Sequence, residues 1–365
     1  MRRVISVIAL FFNVLAALAL LMASIAGYIS PTIYWIFAFL GLSLPLLFVI
    51  NILFIIFWSI FWKKEVAVSI IALLFSLWHI PKFLSFNSKK VKPNNVTAIR
   101  VMNYNVNLFN QYNEESTSAP EMLSYIANKN ADIICLQDFF TIKGKLSEKY
   151  VRNKFKKYPH AYINYSVNER KREVSYGVAI FSKYPILKKH NISFGENTYN
   201  SSIYADVLVN TDTLRVFCCH LESTKLKEAD KPYKLRKRII ENDIDFKEIK
   251  SIVRNLRKAY LKRAKQVDSI SNVASKTRFP IIFCGDFNDI PASYTYSKLR
   301  GSLYDSYVEA GNGLKPTYRG LLPTMRIDYI FSDKQIIPYK YSSPRIKYSD
   351  HYPIIVDFYI KHRQS

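Results

Sequence analysis

Six short polar clusters in this 365-residue chain each sit at the end of an apolar, strand-like run. They are Asn105 and Asn107 in YNVN, Gln137 and Asp138 in CLQD, His220 in CHLES, Asp286, Asn288 and Asp289 in CGDFND, Asp328 in RIDYIF, and Asp350 and His351 in YSDHYP. One carboxylate at a strand end is most simply a turn former or helix cap. Six clusters rich in Asp, Asn and His exceed what capping requires, and loops at strand ends can bring such side chains to one site. The chemistry they suit is hydrolysis of a phosphate ester. That reaction needs a hard divalent cation held by oxygen ligands. It also needs a base to orient and activate water, and a donor for the phosphate oxygens or the leaving group. Carboxylates, carboxamides and two histidines supply all three. Cys135, Cys218, Cys219 and Cys284 lie inside apolar runs without zinc-ligand spacing, and read as buried thiols.

Positioning these clusters requires strands that end together. Strand-like runs cover Ala98–Val106, Asp132–Leu136, Gly177–Phe181, Ile203–Val209, Leu214–Cys219, Pro280–Cys284, Ile327–Phe331 and Tyr352–Tyr359. Several are continuously apolar, as in strands buried on both faces. Helical patterns cover Pro120–Lys129, Lys145–Phe155, Lys247–Ser275 and Tyr294–Arg300. Sheets covered by helices predict an α/β layered domain over residues 97–365. The sequence contains no internal repeat or low-complexity tract.

The N-terminal part has a different character. Charge-free apolar stretches cover residues 4–29 and 33–62, and a shorter apolar one covers 66–80. The first two are long enough to cross about 30 Å of hydrocarbon at about 1.5 Å per residue; the third suffices if the bilayer thins or its ends snorkel. The first stretch is too long for a cleaved signal and two more follow it. Residues 1–81 therefore predict three transmembrane helices, and the polar stretch 82–96 predicts a linker. Arg2, Arg3, Lys63 and Lys64 place the N-terminus and the second loop in the cytoplasm. Three spans then put the large domain on the extracytoplasmic side. Lys82, Lys89, Lys90 and Lys92 argue against that side, and a third helix lying in the interface would leave the domain in the cytoplasm.

The net charge is +24, and only four Lys/Arg and one acid precede residue 82. So basic a domain meets polyanions: nucleic acid, an anionic membrane face or phosphorylated substrates. Residues 225–265 hold 15 Lys/Arg against 6 Asp/Glu. They read either as a solvated amphipathic helix or as a lip that touches anionic lipid or substrate.

In this order, N-x-N, L-Q-D, the G-x-A-I-x-S segment Gly177–Ser182, H-L, G-D-F-N, R-I-D-Y and S-D-H resemble the endonuclease/exonuclease/phosphatase superfamily, over roughly residues 98–360. DNase I-like nucleases, neutral sphingomyelinases and inositol polyphosphate 5-phosphatases are members. The resemblance implies a four-layered α/β sandwich with its site at one end of two packed sheets. It implies that Asn105, Asp138 and Asp350 hold a catalytic Mg²⁺, with Mn²⁺ as an alternative. Asp286 would orient or deprotonate water and Asn288 would contact phosphate. Asp328 would fix the tautomer of His351, a base or phosphate ligand, and His220 would donate to a phosphate oxygen or the leaving group. Asn107 and Tyr176 are candidate substrate contacts, and Arg263 and Gln266 also look family-like, with helix packing as the equal alternative. One departure is Asp138, where the family usually has Glu. The shorter side chain predicts weaker metal affinity or a preference for Mn²⁺.

The expected protein is a multi-pass enzyme of the bacterial inner membrane that hydrolyses a phosphodiester or phosphomonoester. An anchored enzyme gains most from a substrate in the bilayer, which favours a lipid-linked phosphate. A DNase-like endonuclease is the alternative, and a catalytically weak module binding anionic lipid or nucleic acid is a third reading. No protein partner is predicted.

Overall fold

A computed structural model describes residues 2–361 apart from 62, 89, 95, 112–118, 170–172, 196–197, 225–245 and 320–324. All three N-terminal apolar stretches are helical: α1 (Arg2–Ile25), α2 (Ile36–Ile60) and α3 (Val66–Ser76), the last continued through a 3-10 turn into α4 (Ile80–Phe83). The segments Arg3–Tyr28, Ile36–Ile60 and Val66–Phe83 are long and apolar enough to cross a membrane. The third outruns the apolar stretch in the sequence because Pro81 stands at the start of α4, where no backbone N–H is needed. Polar side chains join the helices. Asn13 Nδ2 donates to Ser69 Oγ (2.6 Å), Ser69 Oγ donates to Asn51 Oδ1 (2.9 Å), and Trp58 Nε1 donates to Asn13 Oδ1 (2.9 Å). Hydrogen bonds of this kind hold helices together where lipid offers polar groups no alternative partner. Leu53, Ile56, Ile71 and Leu74 face outward.

Among the described residues fourteen strands follow: β1 (Ser85–Phe86), β2 (Thr97–Asn105), β3 (Ile133–Ile142), β4 (His160–Glu169), β5 (Val174–Ser182), β6 (Ile186–Ile192), β7 (Ser202–Val209), β8 (Asp212–His220), β9 (Ile281–Asp286), β10 (Tyr304–Asp305), β11 (Asn312–Gly313), β12 (Asp328–Ser332), β13 (Ile336–Ser342) and β14 (Ile354–Ile360). One six-stranded sheet has the order β13-β14-β2-β3-β5-β4 and the other β10-β12-β9-β8-β7-β6. Each contains one parallel pair, β2–β3 or β8–β9, among antiparallel neighbours. Val101, Ile133 and Ile180 of the first sheet pack on Ala205, Val216 and Ile282 of the second. Helices α5 (Ala119–Asn128) and α6 (Glu148–Lys154) cover the first sheet through Met122, Ile126 and Val151. Helices α7 (Phe246–Ala274) and α8 (Tyr294–Arg300) cover the second through Val267, Ile270, Tyr296 and Leu299. A short helix α9 (Ser306–Ala310) follows β10. The result is the expected four-layered α/β sandwich.

All eight strands expected from sequence are present. The longer strands that the pattern did not signal, β4, β6 and β13, all lie at sheet edges. An edge strand is wetted and polar, so it lacks the apolar signature of a central one. In β6 the run Leu187-Lys188-Lys189-His190-Asn191 is exposed. Two motif glycines are set by close backbone approach: a Cβ on Gly177 would overlap Asn164 O of β4, and one on Gly285 would overlap Cys219 O of β8.

The helices and the sandwich are packed together. Ile290 and Ala292, in the loop after β9, are buried with Ala23 of α1 and Leu44 of α2. Gly41 of α2 allows this approach, since a Cβ there would stand 3.1 Å from Ala292 O and 3.2 Å from Ala26 Cβ. The first part of the expected 82–96 linker is not a free tether. Arg326 Nη2 donates to Lys82 O (2.9 Å), Tyr307 Oη donates to Phe83 O (2.9 Å) and accepts from Ser85 N (3.0 Å), and β1 pairs with β11. Buried hydrogen bonds to the backbone outweigh the local polar composition that suggested a linker.

Candidate active site

The parallel pairs bring the polar clusters to one end of the sandwich. β2 finishes with Asn105 beside Gln137 of β3, and β8 and β9 finish with His220 beside Asp286. β12 runs antiparallel to β9 and begins with Asp328 opposite Asp286. A β-bulge between Leu136 and Phe139 interrupts the pairing of β3, and Asp138 within it has φ 49°. A bulge of this kind re-aims a side chain, and Asp tolerates the left-handed region better than most residues. Asn288, with φ 53°, follows the same rule.

Asp286 is the hub. Its Oδ2 accepts from Asn105 Nδ2 (2.9 Å) and its Oδ1 accepts from Asn288 N (2.9 Å). His351 Nε2 lies 3.6 Å and His220 Nε2 3.8 Å from Asp286 Oδ2. On its other nitrogen, His351 Nδ1 is 2.9 Å from Asp328 Oδ2. His220 Nδ1 is 3.3 Å from Asp138 Oδ1. Burial disfavours a charged His351, but Asp328, Asp286 and Asp350 outweigh it and hold the imidazole pKa well above its usual value. Burial pushes the Asp328 carboxyl up to about 6, against the pull of the His351 charge. Burial likewise raises the Asp138 pKa against the pull of His220, and Asp286 and Asp350 add to the rise.

A supporting layer holds these groups. Ser349 Oγ donates to Asn105 O (2.9 Å) and accepts from His351 N (3.1 Å), which ties the S-D-H loop to β2. Thr317 Oγ1 accepts from both Ile327 N and Asp328 N (3.0 Å each). Arg263 Nη1 donates to Glu222 O and Gln266 Oε1 accepts from Glu222 N (2.9 Å each). These two α7 residues therefore clamp the chain just after His220. Asp289 accepts from Arg263 Nε (3.2 Å), Thr295 Oγ1 (2.8 Å) and Ile290 N (3.1 Å), so it shapes the loop.

The carboxylates Asp138, Asp286, Asp328 and Asp350, with the Asn105 carboxamide, form an oxygen-rich set free of cysteine. That set suits a hard divalent cation, and carboxylates that raise one another's pKa mark a place where a cation is stabilising. Among the described residues Asp286, Asp328 and His351 also bring one donor atom each within 4.8 Å of one another. This grouping differs from the Asn105, Asp138 and Asp350 set read from sequence, and within it Asp328 and His351 are already paired with each other.

A cavity of about 430 Å³ opens over these groups. Asn105, Asp138, His220, Asp286, Asn288, Asp350 and His351 form its polar wall. Asp328 sits behind His351. The two expected substrate contacts are not in the wall. Asn107 turns away at φ 45° and its Nδ2 donates to Asn110 Oδ1 (3.0 Å). Tyr176 lies 6.4 Å, ring to ring, from Tyr199, which lines the cavity instead. Tyr199, Asn200, Tyr318 and Leu42 were not singled out in the sequence. They come from loops and a distant helix, with no strand-end motif to mark them. Tyr318 bridges to His351, with the rings 5.0 Å apart.

This architecture, with acids and histidines at the paired ends of two sheets, defines a phosphoesterase-type hydrolase fold. The chain belongs to the endonuclease/exonuclease/phosphatase family, whose model matches residues 102–351. Members act on phosphate-ester bonds and generally use a divalent metal. Residues 3–83 match a domain of unknown function. No curated protein matches the chain. Among solved structures, an endonuclease/exonuclease/phosphatase from Beutenbergia cavernae is similar, with a TM-score of 0.52 at 15% identity over 72% of each chain. The human Nocturnin catalytic domain with bound sulfate has a TM-score of 0.51 at 16% identity over 74% of this chain and 96% of that one. A humanized D. rerio TDP2 has a TM-score of 0.51 at 16% identity over 72% and 98%. At such identities these structures speak to the fold alone.

Proposed function

We propose that this chain is a membrane-anchored, divalent-metal-dependent phosphoesterase whose substrate carries its phosphate ester on a lipid. The observation behind this reading is the apolar part of the cavity lining. Leu42 of α2, Ile252, Leu256 and Tyr260 of α7, and Met325 line it together with the acids and histidines. A cavity lined by both polar and apolar side chains, and part-built by a helix able to cross a membrane, suits an amphiphilic ester. The sandwich touches the ends of α1 and α2 that lie far from Arg2, Arg3, Lys63 and Lys64. Together with the positive-inside rule, this supports a domain on the extracytoplasmic side.

In this reading Asn105, Asp138 and Asp350 hold Mg²⁺ or Mn²⁺. The ion, when bound, supplies Lewis-acid stabilisation of phosphate charge. Asp286, held at both oxygens, orients and deprotonates the attacking water. His351, kept cationic by Asp328, donates to a phosphate oxygen through Nε2. His220, oriented by Asp138, donates to the leaving oxygen. Asn288 spends an N–H on Leu221 O (3.0 Å) and faces the phosphate with its remaining polar atoms.

The test is turnover by the full-length protein in nanodiscs with Mg²⁺ or Mn²⁺. The panel holds undecaprenyl pyrophosphate, sphingomyelin, plasmid DNA and bis-p-nitrophenyl phosphate, with Asp286→Ala as control. Turnover of a lipid ester that the control loses supports the reading. The net charge of +24 favours a second one, an endonuclease. Cleavage of DNA alone, collapsing steeply as salt rises, would select it.

A further inference from the structure

Helix α7 has two parts. From Ala259 onward its inner face, including Tyr260, Ala264, Val267 and Ile270, is buried, and Val267 and Ile270 pack on the second sheet. Before Ala259 no residue of the helix is buried, yet the apolar pattern continues. Phe246, Ile249 and Val253 recur at helical spacing and are 79%, 49% and 39% exposed. Lys247, Lys250, Arg254, Arg257 and Lys258 are exposed on the adjoining flank, and Glu248 is the one acid between residues 246 and 258. An apolar stripe flanked by cations is the composition of a helix lying in the interface of an anionic bilayer.

Its place in the fold agrees. The Arg257 guanidinium lies 4.9 Å from the Trp35 ring centroid, and the Tyr260 and Phe39 rings are 5.4 Å apart. These contacts seat α7 against the start of α2. Tyr28 and Trp78, exposed and 6.0 Å apart, mark the same end of the bundle. Tyr and Trp at the end of an apolar helix bundle mark the headgroup level of a bilayer.

We propose that the first three turns of α7, Phe246 to Leu256, form an interfacial helix that binds anionic lipid. Phe246, Ile249 and Val253 enter the acyl boundary, and Lys247, Lys250 and Arg254 hold lipid phosphates. The proposal rests on the reading of α1, α2 and α3 as membrane-spanning. The occupant is the bilayer, because the stripe is continuous with the lipid-facing bundle through the Arg257–Trp35 contact. Ile252 and Leu256, on the next face, line the catalytic cavity, so the same turns would present its mouth to the leaflet.

The four native cysteines are buried, so an environment-sensitive thiol label can be placed selectively in full-length Phe246→Cys, Val253→Cys and Leu53→Cys variants. Each is reconstituted in phosphatidylcholine nanodiscs with and without phosphatidylglycerol, and quenching by acyl-attached quenchers is read. The expected result is quenching at all three positions. At positions 246 and 253 it should deepen with phosphatidylglycerol, and a combined Lys247→Gln, Lys250→Gln and Arg254→Gln change should abolish that deepening. Labels at 246 and 253 that stay in water while the one at 53 is quenched overturn the interfacial helix and leave the membrane reading standing. A label at 53 that also stays in water sinks both. Quenching indifferent to phosphatidylglycerol and to the charge changes overturns the anionic-lipid assignment.

Discussion

Asn105, the last residue of β2, donates its side-chain N–H to Asp286, the last residue of β9, at 2.9 Å. The two strands belong to different sheets, so this bond joins the halves of the sandwich at the point where the chemistry is proposed. It also holds the Asp286 carboxylate in one orientation while Asn288 N holds the other oxygen.

Asp286→Asn keeps the shape of that hub and removes its charge. Turnover of bis-p-nitrophenyl phosphate should fall by roughly 10²–10⁴-fold, the range for a lost general base. The melting temperature should fall modestly, because both Asp286 oxygens accept from donors and the new NH2 group must face one of them. Turnover within a few-fold of the parent would remove Asp286 from the proposed chemistry.

Metal dependence follows from the oxygen donor set. Chelation should abolish turnover, and Mg²⁺ or Mn²⁺ should restore it. Asp138→Ala should raise the metal concentration for half-maximal activity at least tenfold, about 1.4 kcal/mol of binding. Asp138→Glu should lower it if the longer side chain fits the bulge at residues 137–138. An Asp138→Ala protein with an unchanged metal requirement would take Asp138 out of the metal site.

The charge on His351 can be read directly. In the metal-free protein its ring should remain an imidazolium at neutral pH, because Asp328, Asp286 and Asp350 outweigh burial. Asp328→Asn removes the largest favourable contribution, so the ring should lose its proton at a lower pH than in the parent. Nitrogen chemical shifts of labelled histidine across a pH series check this, and an identical titration in the two proteins would contradict the pairing.

Gly41 is where α2 approaches the loop after β9 closely enough to exclude a side chain. A larger side chain there must displace Ala292 O or Ala26 Cβ, which stand 3.1 and 3.2 Å from the position of a Cβ. Gly41→Val should reduce turnover several-fold by shifting the loop that begins at Asp286. Overpacking of this kind typically costs about 1–3 kcal/mol. Parent-like kinetics and melting would show that the loop is indifferent to the bundle.

The sequence alone determined what local physics writes into it. Central strands are buried on both faces, so Ile133–Leu136 and Pro280–Cys284 carry continuous apolar runs, and the polar residues just after each run are conspicuous. Helix length against bilayer thickness made the three N-terminal segments legible in the same way. Edge strands β4, β6 and β13 were not legible, because water satisfies their outer side and leaves no apolar pattern. Tertiary structure decided which strand ends meet. The parallel pairing of β8 with β9 sets His220 beside Asp286, and the Asn105–Asp286 bond unites residues 181 positions apart. It also turned Asn107 toward Asn110 through a left-handed turn and put Tyr199, not Tyr176, in the cavity lining. Leu42 had no motif at all. It reached the cavity because Gly41 lets α2 close on the loop after β9, a long-range approach that no local pattern encodes.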